Sequence, residues 1–490
     1  MKAPSAPIKA PARRLLDRAR VPLAIAAGAV VLRLIAGVGF ANYDTLYALA
    51  WGGQLSRGQA PAYELPIAPT PHPLIEALGL VLSPLGPSSV EAVAVALGFL
   101  ALAACAWVVY RLGADWFGWA AGALAALILL TRVPVLSYGV RAYVDIPYLL
   151  LVLGALLLES RSRRTSGRAA GAPVLALLAL AGLLRPEAWA FSGLYWLLLV
   201  AWRPPPRSRR ELAGLTLLAA AAPLIWLVSD LLVTGDPLWS LKNTRHTAST
   251  LDRVRGIGNV PEYVPRRIGE ILRPPVLAGA ALGGILSLLW LRRRALVGAA
   301  AGVLAVIVFA AFATLGLPIN TRYAFLTAAI LAVFAGAGAF GWMLLEPGDR
   351  RRRWWMAGGA IVVVALIAYS PSQYRSAHRE LRKLARQEHI EDDLLALVDN
   401  HAITLHCGLV GVPNHAPIPL LALYLKTSPA NIRNAQVASI TRGVYVDPAS
   451  RDVEDEYVLD PRDPHVPVTV PPGFTESHAN NSWLIFQRCK

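Results

Sequence analysis

Three places in this chain set ionisable side chains at the edge of an apolar run: Asn42-Tyr43-Asp44, Arg141-Ala142-Tyr143-Val144-Asp145 and Asn320-Thr321-Arg322-Tyr323. Together they offer two carboxylates and two guanidiniums. A carboxylate can take the proton from an attacking hydroxyl or amine. A guanidinium can hold a phosphate through two parallel hydrogen bonds and stabilise its charge as it leaves. Each residue also has a plainer use. Asp44 suits a helix cap, Asp145 opens a helix ahead of Ile146-Pro147, and Arg322 can snorkel to a headgroup. His72, within Pro71-His72-Pro73, fits either a site or a rigid turn. Lys242, Arg245 and His246 form a basic segment able to grip a pyrophosphate or an acceptor, and Tyr43 beside Asp44 is a candidate substrate contact. Arg185 and Glu187 read as an internal ion pair at a turn. His401, His406 and His415 lack metal-ligand spacing, so no metal ligands are assigned; no cofactor is certain and a divalent metal is left open.

The elements that must position these groups are membrane spans. Of 490 residues 55% are hydrophobic and 16% charged, against about 25% charged in soluble domains. The apolar residues come in blocks, and about 20 such residues cross a hydrocarbon core. The net charge of +16 raises the prospect of nucleic acid, but its location argues otherwise. Arginines cluster in short gaps between apolar blocks: Arg161, Arg163, Arg164, Arg168; Arg203, Arg207, Arg209, Arg210; Arg292 to Arg294; Arg350 to Arg353. The tail from residue 372 carries 12 bases and 14 acids, so the surplus is not there. This is the positive-inside pattern, and no nucleic-acid partner is expected.

Applied along the chain, that rule predicts an all-α polytopic bundle of about 11 transmembrane helices. Residues 1–20 form a cytoplasmic segment, an uncleaved first span follows at 21–40, and the membrane domain runs over 21–371. Further spans are expected at 89–112, 117–134, 145–158, 212–233, 276–291, 296–315, 323–345 and 354–370, with a hairpin at 173–202 that turns at Arg185-Pro186-Glu187. Outer loops cover 41–88 and 234–275. Within them, 43–58 reads as a helix lying at the interface, with Leu46, Leu49, Ala50 and Leu55 on one side; 73–85 is a short apolar helix in the membrane plane, and 261–273 a third. Residues 372–490 form a small extracytoplasmic α/β domain: a charged helix at 376–400, a strand-like run at 402–412, a helix at 415–427, and strands near Tyr445, Tyr457, 466–470 and 483–487. Cys407 and Cys489 either pair there or stay free thiols. The three polar points then share the outer face, at the depth where a lipid phosphate sits. The inference is sugar transfer from a phosphate-linked lipid.

The pieces "FANYDTLYALAWGGQLSRGQAP", "PTPHPLIEALGLVLSPLG", "RAYVDIPYLLLVLGALLLESR", "GLLRPEAW" and "NTRYAFLTAAILAVFAGAG" resemble, in order and spacing, the GT-C superfamily of integral membrane glycosyltransferases. Within it the chain looks like the bacterial aminoarabinose transferases and protein O-mannosyltransferases over residues 20–345. The resemblance implies a polyprenyl-phosphate sugar donor, inversion at the anomeric centre, and an extracytoplasmic glycan, lipid or protein acceptor. It points to Asp44 as general base, Asp145 as a second acid of the site and Arg322 as the donor-phosphate ligand. The residues themselves add Lys242 and Arg141 as candidate phosphate ligands and His72, Tyr43, Arg245 and His246 as candidate substrate contacts. Many relatives carry Asp-Glu in the first loop, where Thr45 here follows Asp44. A composition rich in Ala, Arg, Gly and Pro fits a GC-rich bacterial genome and placement in the cell (inner) membrane, with membrane lipid as a partner. Two rivals stand beside the enzyme: a transporter or lipid-linked sugar flippase, and a non-catalytic scaffold binding envelope polymers. A transporter calls for mid-membrane polar groups and an internal repeat; the polar groups lie at one face and no repeat is visible.

Overall fold

The computed structural model describes residues 10–201, 208–458 and 469–489, with side chains from residue 19. The expected cytoplasmic segment 1–20 therefore lies almost wholly outside the described side chains. Arg203, Arg207 and residues 466–468 of an expected strand are also outside them.

Each apolar block folds as a helix because lipid offers no partner for an unpaired backbone group. In chain order these are α1 (Ala10–Ala36), α2 (Tyr43–Ser56), α3 (Pro73–Leu82), α4 (Pro87–Phe117), α5 (Trp119–Thr131), α6 (Val133–Val140), α7 (Asp145–Ser166), α8 (Ala172–Gly182), α9 (Glu187–Ala201), α10 (Arg209–Thr234), α11 (Trp239–Thr250), α12 (Val260–Trp290), α13 (Arg292–Thr314), α14 (Phe325–Phe340) and α15 (Arg350–Asp399). Among the described residues seven helices are long and apolar enough to cross a membrane, or eight if α5 and α6, bent by 65°, make one span. The expected hairpin is present as α8 and α9, but an 11-residue α8 is about 16 Å long, half a hydrocarbon core. It enters the bundle without crossing it alone.

The segment Thr321–Leu344 containing α14 is the axis of the bundle, 89% of its apolar window being buried, against 11–56% for the other six. Glycines let α12 lie directly on it: a Cβ on Gly283 would strike the Phe334 carbonyl, and one on Gly338 the Gly279 carbonyl. Small residues at such crossings replace the hydrophobic drive that lipid removes. The expected in-plane helix at 261–273 is the first part of α12. It is bent at Arg273, whose φ of +66° breaks the helical path just ahead of Pro274-Pro275.

Two expectations need correction. Helix α2 does not lie at an interface: residues Thr45 to Gln54 are all buried. Its Gly52 packs onto Gly79 of α3 on one side, while the C-terminal domain covers much of the rest, and only Leu55 and Ser56 at its end stay exposed. Tyr457 belongs to a helical turn, Glu454–Val458, not a strand. Helix α15 runs for 50 residues straight through the expected boundary at 371/372. Its outer half carries the domain. There β1 (Leu409–Val412), α16 (Ile418–Tyr424), β2 (Ile432–Asn434), β3 (Gly443–Pro448), β4 (Thr475–Ala479) and β5 (Trp483–Arg488) form a five-stranded sheet ordered β2-β1-β3-β5-β4. Strand β1 pairs parallel with β2 and β3, and β5 antiparallel with β3 and β4. Cys407 and Cys489 are joined as a disulfide. Leu46, Tyr47 and Trp51 of α2 share one core with Ile390, Leu394, Val410, Leu421, Val444 and Trp483, so first outer loop and C-terminal domain pack as one body.

Candidate active site

Four helices begin at one place, and the chemistry gathers there. Asp44 is in the first turn of α2, His72 immediately precedes α3, Asp145 opens α7 and Glu187 opens α9. A 3-10 turn, Thr321–Ala324, brings Arg322 in just ahead of α14. Helix starts present unpaired N–H groups and a positive dipole end, which favours carboxylates and anions. The opposite end of α7 carries Arg163 and Arg164, so the arginine cluster there lies a helix length away.

Asp44 is placed by its neighbours. Asn42 caps α2, its Oδ1 accepting from the N–H groups of Asp44 (2.8 Å) and Thr45. Asn42 is itself pinned, its N–H and Nδ2 both donating to the Arg141 carbonyl, and the Thr45 hydroxyl donates to the Ala142 carbonyl at 2.8 Å. Arg322 Nη1 donates to Asp44 Oδ2 at 2.7 Å. Burial pushes the Asp44 carboxyl upward, but the Arg322 guanidinium, together with His72 and Arg253, holds the group below the usual carboxylate range.

Behind this pair lies a second, deeper layer. The guanidinium of Arg185 pairs with Asp145 and, at 2.5 Å, with Glu187. It also stacks over Tyr323, 4.5 Å from the ring centre, and lies near Tyr148. Asp145 Oδ2 faces Arg322 Nη1 at 3.9 Å. Exposure separates the layers: the Asp44 and Arg322 side chains are 16% and 19% accessible, those of Asp145, Arg185 and Glu187 only 2%, 6% and 8%. A substrate can touch the first pair. Asp145, expected as a second catalytic acid, lies in the deeper layer against Arg185 and Arg322.

His72 Nδ1 is 2.7 Å from the Leu184 carbonyl oxygen. A carbonyl only accepts, so Nδ1 carries the proton and Nε2 keeps its lone pair. Burial lowers the ring to about 4, so it is neutral at physiological pH. Glu76 fixes the backbone below it by accepting the His72 N–H at 3.1 Å, and is held in turn by the Tyr63 hydroxyl at 2.5 Å. Three buried atoms in this cluster have no hydrogen-bond partner: Arg322 Nε, His72 Nε2 and Asp145 Oδ2. Arg322 Nε is thus an unused donor, and His72 Nε2 and Asp145 Oδ2 are unused acceptors.

The other expected site residues lie elsewhere. Arg141 bonds Ser137 and stacks on Tyr138 and Tyr143, and its contribution here is the backbone carbonyl that holds Asn42. Tyr43 donates to the Ile67 carbonyl at 3.1 Å and packs edge-on against His415 of the C-terminal domain, a wall next to the site. Lys242, Arg245 and His246 fall on the exposed face of α11. Lys242 pairs with Asp236 at 2.5 Å and Arg245 Nε donates to the Leu315 carbonyl. Spacings of three and four residues put these three on one face, and Asn243 and Thr244 on the other side bond Ala68 and Thr70. Arg185 and Glu187 form the ion pair expected of them, but at the heart of the cluster. Charges breaking an apolar hairpin were the signal for that role. Arg253, which acts on Asp44 through space, and the ring of Tyr323 carried no such mark. Among the described residues no group of three His, Cys, Asp or Glu is arranged to hold a metal.

Bundle, outer loop and appended sheet define a membrane protein with the GT-C type of fold. A solved structure with it is ArnT from Cupriavidus metallidurans bound to undecaprenyl phosphate, similar at TM-score 0.57 and 14% identity over 96% of this chain and 98% of that one. Two structures of an oligosaccharyltransferase from Archaeoglobus fulgidus align more loosely. AglB in complex with an inhibitory peptide and a dolichol-phosphate does so at TM-score 0.45 and 12% identity over 83% of this chain and 64% of that one. The apo form does so at 0.46 and 12%, over 88% and 69%. At such identities the likeness is one of fold. No family model and no curated protein matches the sequence.

Proposed function

We propose that the chain transfers a sugar from a polyprenyl-phosphate donor to an extracytoplasmic acceptor, with inversion at the anomeric carbon. The observation that carries this reading is the accessible Asp44–Arg322 pair set among converging helix starts. That the similar ArnT structure holds undecaprenyl phosphate supports the class of donor. In the resting state the two side chains satisfy each other. A donor phosphate competes with Asp44 for the Arg322 fork, and the carboxylate it displaces loses the charge that depressed its basicity. Asp44 then takes the proton from the acceptor hydroxyl or amine as that atom bonds the anomeric carbon. The carbon–oxygen bond to phosphate breaks, and the polyprenyl phosphate leaves with its new negative charge on Arg322. His72 Nε2 accepts from a sugar or acceptor hydroxyl. Asp145 and Arg185 keep the Arg322 fork aimed.

The disulfide between Cys407 and Cys489 supports an oxidising compartment for the C-terminal domain, hence an outward-facing site. Asp44→Asn tests the assignment. It keeps the shape and the Asn42 cap, so the protein folds, while transfer should fall by roughly 10²–10⁴-fold. A variant with the wild-type rate removes Asp44 from the role of base.

A further inference from the structure

Away from the Asp44 cluster, a cavity of about 600 Å³ opens between α1, the first half of α4, the outer part of α15 and α16. Its lining changes character in order along the helices. Furthest from the sheet the lining is apolar: Ala26 and Val30 of α1 and Leu100 of α4, the last two exposed at its mouth. One turn above Val30 comes Arg33. Above that are Glu388, Glu391 and Asp392 on α15. Backbone bonds fix this ladder: Glu388 accepts the Gly39 N–H at 2.9 Å, and Glu91 the Ala41 N–H at 3.0 Å, so the carboxylates sit beyond the outer end of α1, with Arg33 below them.

Glu91 is satisfied, its second oxygen accepting from the Tyr424 hydroxyl at 2.8 Å. The other three carboxylates are not matched by cations. No salt bridge closes on any of them among the described residues. Glu391 is 6% exposed and accepts from Gln387. Through space Arg33 acts on Glu388, Arg141 on Glu391 and His389 on Asp392, but of these only Arg33 lines the cavity. Of the three, Glu391 is buried, Glu388 half-buried and Asp392 exposed; a buried carboxylate with no cation in contact is costly, so the cavity suits an occupant that brings one.

Apolar, then cationic, then anionic is the order of complementary partners along a phospholipid whose head ends in an amine: acyl chain, phosphate, ammonium. We propose that this cavity binds such a zwitterionic lipid. Its phosphate pairs with Arg33, its primary ammonium donates to Glu388, Glu391 and Asp392, and its chains leave over Val30 into the bilayer. An anionic head with no amine would satisfy Arg33 but set its charge below three unpaired carboxylates. A quaternary ammonium has the charge but no N–H to donate. The head would lie against the Gly39–Ala41 segment that leads into Asn42 and Asp44, which places the lipid beside the reaction centre without making it a reactant.

Full-length protein in neutral detergent is titrated with phosphatidylethanolamine, phosphatidylglycerol or phosphatidylcholine, read by melting temperature and by native mass spectrometry. The expected result is one retained phosphatidylethanolamine, saturating at a concentration about fivefold or more below the other two. Arg33→Gln should weaken its binding. Glu388→Gln with Asp392→Asn should abolish the preference while leaving the lipid-free melting temperature unchanged, because the glutamine keeps an oxygen for the Gly39 N–H. Equal binding of all three lipids by the wild type, or a preference that survives in the double variant, overturns the proposal. The readout is binding alone, and Asp44→Asn should bind the lipid as the wild type does, so this outcome and that of the transfer assay are independent.

Discussion

At the scale of the residue, the site turns on what each ionisable group is free to do. In the proposed reaction Arg322 has two tasks, restraining Asp44 and receiving a phosphate, and both depend on its planar fork. Arg322→Lys keeps the charge but offers a point where a fork is needed. Turnover should fall about 10–100-fold, equivalent to roughly 1.4–2.7 kcal/mol of transition-state stabilisation, with the larger share in kcat; steady-state kinetics with a lipid-phosphate sugar checks it. His72 makes a prediction about stability. Burial lowers its folded pKa to about 4 from about 6.5 in the unfolded chain. The unfolded state therefore binds the proton more readily. Stability is full above 6.5, declines as pH falls toward 4, and levels off below it, the total being on the order of 3 kcal/mol. His72→Gln removes this term, so melting temperatures of wild type and variant should differ in slope between pH 6.5 and 4. Parallel slopes would show that the ring is not buried neutral.

At the scale of the element, the cluster exists because helix starts converge, and two contacts hold them. One is Arg185, whose guanidinium joins the starts of α7 and α9 through Asp145 and Glu187. Arg185→Ala leaves two buried carboxylates unpaired and should cost about 3–5 kcal/mol. Adding Asp145→Ala to it should cost less than the sum of the single changes, because the neighbours share one network; thermal unfolding of the three variants decides this. The other is the crossing of α2 on α3 at Gly52 and Gly79, where a Cβ on Gly52 would meet the Glu76 carbonyl. Gly52→Val should force α3 away, shift Glu76 and His72 with it, and lower both melting temperature and turnover. The helices themselves were legible in the sequence, since each apolar block bounded by arginine or proline folds as one. So was the gathering of Asp44, Asp145, Arg322 and His72, because polar residues at one edge of several spans must meet if the spans form a bundle. The exposure of Lys242, Arg245 and His246 was not: α11 is polar on every side, and composition does not say which face turns inward. Nor was the burial of α2, whose covering comes from a sheet more than 350 residues later. Strands β2 and β4 are short, and β4 is exposed along its length, so neither carries a periodic pattern to read.

At the scale of the whole molecule, function requires that the Asp44 cluster and the C-terminal sheet face the same compartment, and the structure joins them physically. Helix α15 leaves the membrane and ends in the core that α2 shares, and His415 rests on Tyr43, the neighbour of Asp44. Whichever side holds the sheet holds the site. The disulfide makes that side measurable. It ties Cys407, two residues before β1, to Cys489, just past β5, across 82 positions, and its loss should cost about 2–4 kcal/mol. In intact cells a membrane-impermeant reductant followed by an impermeant maleimide should label Cys407 and Cys489 if the domain is extracytoplasmic. Cys105, buried in α4, should stay unlabelled and serves as the internal control. Without reductant neither tail cysteine should react, because both sulfurs are in the bond. Labelling that appears only after the membrane is broken would put the sheet, and with it Asp44 and Arg322, on the cytoplasmic side. The arginine-rich ends of the helices would then face outward, and a donor presented at the outer leaflet could not reach the site.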